Sequence, residues 1–122
     1  MTTDPNAALL RAFSHSEQTW MTRCQALDRE LLLSVLDQID AAQWAYSTVL
    51  DRAYRLESCT YAQPGTPDQQ DAITALLGAR VVAPGHYRYL DVDGWPPQLY
   101  VPMLFITSMT GRALLDELRG ER

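Results

Sequence analysis

The sequence predicts an α+β domain: a helical N-terminal half, a short helix, a small antiparallel sheet near residues 81–107, and a C-terminal helix. Three observations predict it. Apolar residues recur at helical spacing through the first half. After Gly78 the pattern changes to β-branched and aromatic runs. Pro84-Gly85 and Asp93-Gly94 then punctuate those runs as turns.

Asp4-Pro5 is a helix opening, with Asp as N-cap and Pro at the first helical position. Leu9, Leu10, Phe13, Trp20, Cys24, Leu27 and Leu31 follow at spacings that support helix. Ser14 and Glu17 fit a capping box, so the stretch reads either as one long helix or as two in succession. Leu27, Leu31, Val35 and Ile39, widened by Leu32 and Leu36, form an apolar stripe opposite Asp28, Asp37 and Gln38. Ala42, Tyr46, Val49, Leu50, Ala53 and Leu56 define a further helical face running to about Glu57. Trp44 and Tyr54 fall partly off that face, either to pack on the N-terminal helix or to meet a partner.

Gln63-Pro64-Gly65-Thr66-Pro67 is the clearest break, and reads as a loop within one domain. Thr66 is the N-cap of a short helix, Pro67 its first residue, and Gln69 completes a capping box. Ile73, Leu76 and Leu77 form its buried face, and Gly78 is expected to supply a left-handed stop. Val81-Val82, Tyr87 to Val92 and Leu99 to Ile106 read as strands. Trp95-Pro96-Pro97 resists a regular ladder, and Pro102 requires an edge or a bulge. The last helix buries Leu114, Leu115 and Leu118 and ends at Gly120.

The 122 residues suit a single domain with one core, in which residues 1–60 are helical and 66–120 form the second part. At 47% hydrophobic and 20% charged the composition is that of a folded protein. No apolar run approaches the roughly 18–20 residues that span a bilayer. Met1-Thr2-Thr3-Asp4-Pro5 lacks the order of a signal peptide, so a cytoplasmic protein is expected. The net charge of −5 disfavours an extended contact with a phosphate backbone, although a local basic face can coexist with it. All ten cations are arginine, which reads either as selection for bidentate pairing or as coding bias.

Cys24, Cys59, His15 and His86 lack zinc-site spacing. The cysteines are either paired or, more in keeping with a cytosolic chain, two buried free thiols. Asp91-x-Asp93-Gly94 fails as a calcium loop because Trp95 and Pro97 occupy the next ligand positions. Ser14-His15 sits in no nucleophile turn, and no glycine-rich phosphate loop occurs. Neither enzymatic activity, a cofactor, a metal nor a small-molecule substrate is expected.

Two junctions carry a family likeness. Leu76-Leu77-Gly78-Ala79-Arg80-Val81-Val82 is similar to the passage from recognition helix to strand in winged helix-turn-helix regulators. Ile106-Thr107-Ser108-Met109-Thr110-Gly111-Arg112-Ala113-Leu114-Leu115 looks like their returning strand and following helix. The resemblance covers roughly residues 66–120 and implies a regulatory module acting on DNA or on a protein that handles nucleic acid. Gln69, Gln70 and Thr74 would then face base edges, while Arg80 and Arg88 would contact phosphate. The alternative for these residues is a solvated helix face with ordinary surface arginines. Tyr87, Trp95 and Tyr100 form a candidate protein-binding region, or else cap the core.

Leu10, Phe13, Trp20, Leu27 and Leu31 form a seam expected to join a homodimer, or to pack against residues 42–56 of the same chain. The second functional reading is an acidic protein-binding inhibitor or adaptor, of the kind a phage encodes, that occupies a basic surface on its target.

Overall fold

A computed structural model of the chain describes residues 17–92 and 95–120, with the side chains of 95–97 outside the described set. The elements run α1 (17–26), α2 (Arg29–Asp40), β1 (Trp44–Ser47), β2 (Arg52–Leu56), β3 (Tyr61–Pro64), α3 (Pro67–Gly78), β4 (Val82–Val92), β5 (Trp95–Ile106) and α4 (Thr110–Leu118). The fold is α+β, with more strand than the sequence suggests. Five strands close into a barrel in chain order. Neighbours are antiparallel except β3 and β4, which run parallel through Tyr61↔Asp91 and Ala62↔Val92.

The expected helix over residues 42–57 is instead the β1–β2 hairpin, so the N-terminal half is not wholly helical. Its register is Trp44↔Arg55 through Ser47↔Arg52. The reason is that both faces of the hairpin are covered. Ala45 and Tyr54 join Ala62, Leu90, Val92, Val101 and Met103 in a cluster drawn from all five strands, which fills the barrel. Trp44 and Ala53 point the other way, into a second cluster built with α2, α3 and α4. A strand buried on both faces lacks the alternation that announces it. Two turns also form without glycine, with Ala42 at φ 59° and Asp51 at φ 53°. The Ser47 hydroxyl accepts from Leu50 N at 3.0 Å, and the Tyr46 hydroxyl donates to Asp51 Oδ1.

Trp44 and Tyr54 are thus core residues, not partner-facing ones. The Trp44 indole N–H donates to Gln38 Oε1 at 2.8 Å. Its ring lies on Gly65, where a Cβ would stand 2.6 Å from the indole. That close approach, on an extended segment, accounts for the glycine.

α2 forms over the Leu31-to-Ile39 part of its stripe, with Leu32, Val35, Leu36 and Ile39 buried. Leu27 falls outside it, and Asp28 is its N-cap, accepting from Leu31 N, and not an outward-facing helical residue. α3 has the full Thr66/Gln69 capping box with Pro67 at its start. Gly78 is not its left-handed stop: Ala79 remains right-handed and the left-handed residue is Arg80, at φ 64°. Gly78 lies instead beneath the Trp20 indole of α1, which a Cβ would meet at 2.3 Å. In α4, Leu114, Leu115 and Leu118 are buried, and Gly120 follows at φ 76°. Arg29 donates to the carbonyls of Glu117 and Leu118, capping the C-terminal end of α4 with a cation.

Trp20, Leu27 and Leu31 of the expected dimer seam pack partly buried against their own chain's core. Leu10 and Phe13, the Asp4-Pro5 helix opening and Ser14-His15 lie outside the described residues. Cys24 and Cys59 are both free; Cys24 is buried, whereas Cys59 is exposed rather than buried. No described helix is long and apolar enough to cross a membrane.

Candidate functional site

β4 and β5 form a long hairpin whose register changes between Pro84 and Tyr87. Gly85 and His86 together oppose Met103 in that irregularity, and Pro102 sits just beyond it, opposite Tyr87. This is how the strand accommodates Pro102. Trp95 also enters the ladder, opposite Val92, despite the prolines that follow it; its side chain lies outside the described set.

From Tyr87 to Leu90 the hairpin alternates, and its register shifts again between Leu90 and Val92. Leu90, Val92 and Val101 point into the barrel, leaving Tyr87, Tyr89 and Tyr100 on the outer face. Tyr89 is directly opposite Tyr100, and Tyr87 is its diagonal neighbour. The Tyr89–Tyr100 ring centroids are 4.5 Å apart and the Tyr87–Tyr100 centroids 5.0 Å, with interplanar tilts of 36° and 30°. The three rings therefore form one strip, yet they remain 51%, 61% and 57% exposed for Tyr87, Tyr89 and Tyr100. A strip of stacked rings is pre-ordered, so binding to it loses little side-chain entropy.

The residues assigned to nucleic acid are not brought together. Gln70 is committed to the fold: its Oε1 accepts from Ala53 N and its Nε2 donates to Ala53 O, both at 2.8 Å. Gln69 Oε1 accepts from Thr66 N at 2.9 Å within the capping box. Neither amide is free to pair with a base edge. Thr74 is exposed beside a cleft that α1 borders. Arg80 is an exposed residue of the α3–β4 junction, and its carbonyl accepts from the Thr107 hydroxyl at 2.9 Å. Arg88 projects from the strand face opposite the tyrosines and donates to Cys59 O at 2.5 Å.

The order α3–β4–β5–α4 follows the expected sequence of elements. Ahead of α3, however, stands β3, and three strands separate α3 from α2. Among the described residues, no group of three or more His, Cys, Asp or Glu is placed to hold a metal ion. Burial raises the Cys24 thiol to about 11, which suppresses its thiolate near neutral pH.

No family model, curated protein or solved structure matches the chain. Tyr89, which flanks the aromatic region in the sequence with Tyr87 and Tyr100 but is not among the residues assigned to protein binding, joins them in the strip. The available signal was its two-residue spacing from Tyr87, which places both rings on one face of a strand.

Proposed function

We propose that this protein is a non-catalytic binding module whose contact surface is the outer face of the β4–β5 hairpin, and that its partner is a protein. The observation that carries this reading is the exposed Tyr87–Tyr100–Tyr89 strip. Tyrosine is enriched at interface hot spots because a flat apolar ring and a hydroxyl come with little rotamer entropy. The net charge of −5 supports a partner with a basic surface, giving an acidic inhibitor or adaptor.

The test is capture from the native host with wild-type protein and with the Tyr87→Ser/Tyr100→Ser variant as bait. A partner retained by the first, released by salt and lost by the second is the expected result. Equal retention by both baits would remove the strip from the account.

A regulatory role on DNA is the second reading, favoured by the order α3–β4–β5–α4 with the exposed Arg80 directly beyond α3. It predicts salt-dependent binding to duplex DNA that is lost in Arg80→Ala/Arg88→Ala. Because Gln69 and Gln70 are held internally, such binding would be weakly sequence-selective.

A further inference from the structure

We propose that α1 is a removable latch that swings as a unit about Leu27–Asp28 and uncovers one side of α3 together with the Cys24 thiol. The joint is built for it. α1 ends in a turn closed by Leu27 N donating to Cys24 O at 3.1 Å, and Asp28 starts α2 afresh as its N-cap. No helical backbone continues across the two residues.

α1 is seated by Cys24, Met21 and Leu27 on the helical core and by one unusually close contact of Trp20. The Trp20 indole lies over Gly78, where an added Cβ would stand 2.3 Å from both Cγ and Cδ1. These are the root atoms of a rigid ring, so they have little room to yield. Gly78 occupies a right-handed helical position at which alanine would otherwise be preferred. The glycine therefore serves the contact with α1 and not the backbone of α3.

Packing on either side of the contact is loose. A cleft of about 270 Å³ separates α1 from α3, lined by Trp20, Arg23, Leu27, Asp71, Thr74 and Ala75. A second, of about 230 Å³, lies on the α4 side and reaches Cys24. A helix flanked by open clefts buries less of its surface than one packed all round, and such elements can open before the whole molecule does. The barrel does not depend on α1, since its own cluster draws on strands alone.

Cys24 reports the opening directly. With Cys59, the exposed thiol, changed by Cys59→Ser, alkylation by iodoacetamide under native conditions measures access to Cys24 alone. Gly78→Ala is expected to accelerate that alkylation by roughly tenfold or more, while urea unfolding followed by near-ultraviolet tyrosine signals changes far less. Trp20→Ala, which removes the contact without a clash, is expected to act in the same direction. Unchanged alkylation in both variants would overturn the latch. So would alkylation that rises only by the factor by which global unfolding rises, because Cys24 would then be exposed solely by unfolding of the whole chain.

Discussion

The carboxamide of Gln70 exchanges two hydrogen bonds with the backbone of Ala53, the pairing that an adjacent strand would otherwise provide. Ala53 is fully buried, so losing this partner would leave its N–H unsatisfied. Gln70→Ala is expected to cost about 1–3 kcal/mol in urea unfolding. A Gln70 engaged only with a ligand would leave stability unchanged. Thr107 has a comparable role: its hydroxyl faces the carbonyls of Arg80 and Val81 at 2.9 and 3.1 Å and accepts from Gly111 N at 2.8 Å. Thr107→Val keeps the shape and removes all three, with an expected loss of about 1–2 kcal/mol by the same measurement.

Tyr46 adds a pH dependence. Burial raises its hydroxyl from 10.0 to about 12, helped by the hydrogen bond to the Asp51 carboxylate and by that carboxylate's charge. The unfolded chain therefore loses this proton more readily than the folded one. The stabilisation is complete below the unfolded value and fades as pH rises through the folded one. The stability difference between wild type and Tyr46→Phe should shrink between about pH 10 and about pH 12. A constant difference over that range would contradict the coupling.

At the scale of elements, legibility in the sequence follows solvent exposure. α2 and α3 each have one wet face, and α3 also has the N-terminal capping box its sequence predicts. The β1–β2 hairpin buries residues on both faces, and its turns rest on Ala42 and Asp51 in left-handed conformations that neither residue advertises. Of the apparent helical face from Ala42 to Leu56, Tyr46 and Ala53 go to one core, Leu50 and Leu56 to the other, and Ala42 and Val49 are exposed. The candidate site was partly legible for the same reason. Tyr87 and Tyr100 stood out as aromatics beside turns, whereas pairing Tyr89 with Tyr100 required a register that only the closed barrel fixes. Gln69 and Gln70 misled because a helix face exposed in isolation can be claimed by a cap or by a strand edge. For the hairpin itself, Tyr89→Ala breaks the Tyr89–Tyr100 ring contact, the strip's directly opposed pair. It is expected to lower stability by about 0.5–1.5 kcal/mol, while a far larger loss would mean that the strip chiefly holds the barrel together.

At the scale of the molecule, two clusters divide the work. One fills the barrel and the other joins α2, α3 and α4 to its flank, so the helices are tied down away from the tyrosine face. Surface ion pairs such as Arg112–Asp40 and Arg119–Asp37 link α4 to α2, but at this exposure they add little to stability. The β4–β5 face is thereby left open, and the account rests on that face being the one a partner covers. Hydrogen–deuterium exchange of the protein alone and in complex with its captured partner tests this most directly. New protection is expected to centre on Tyr87 to Tyr89 and Leu99 to Val101, with α3 unchanged. Protection centred on Thr74 and Arg80 instead, with the hairpin unaffected, would contradict it.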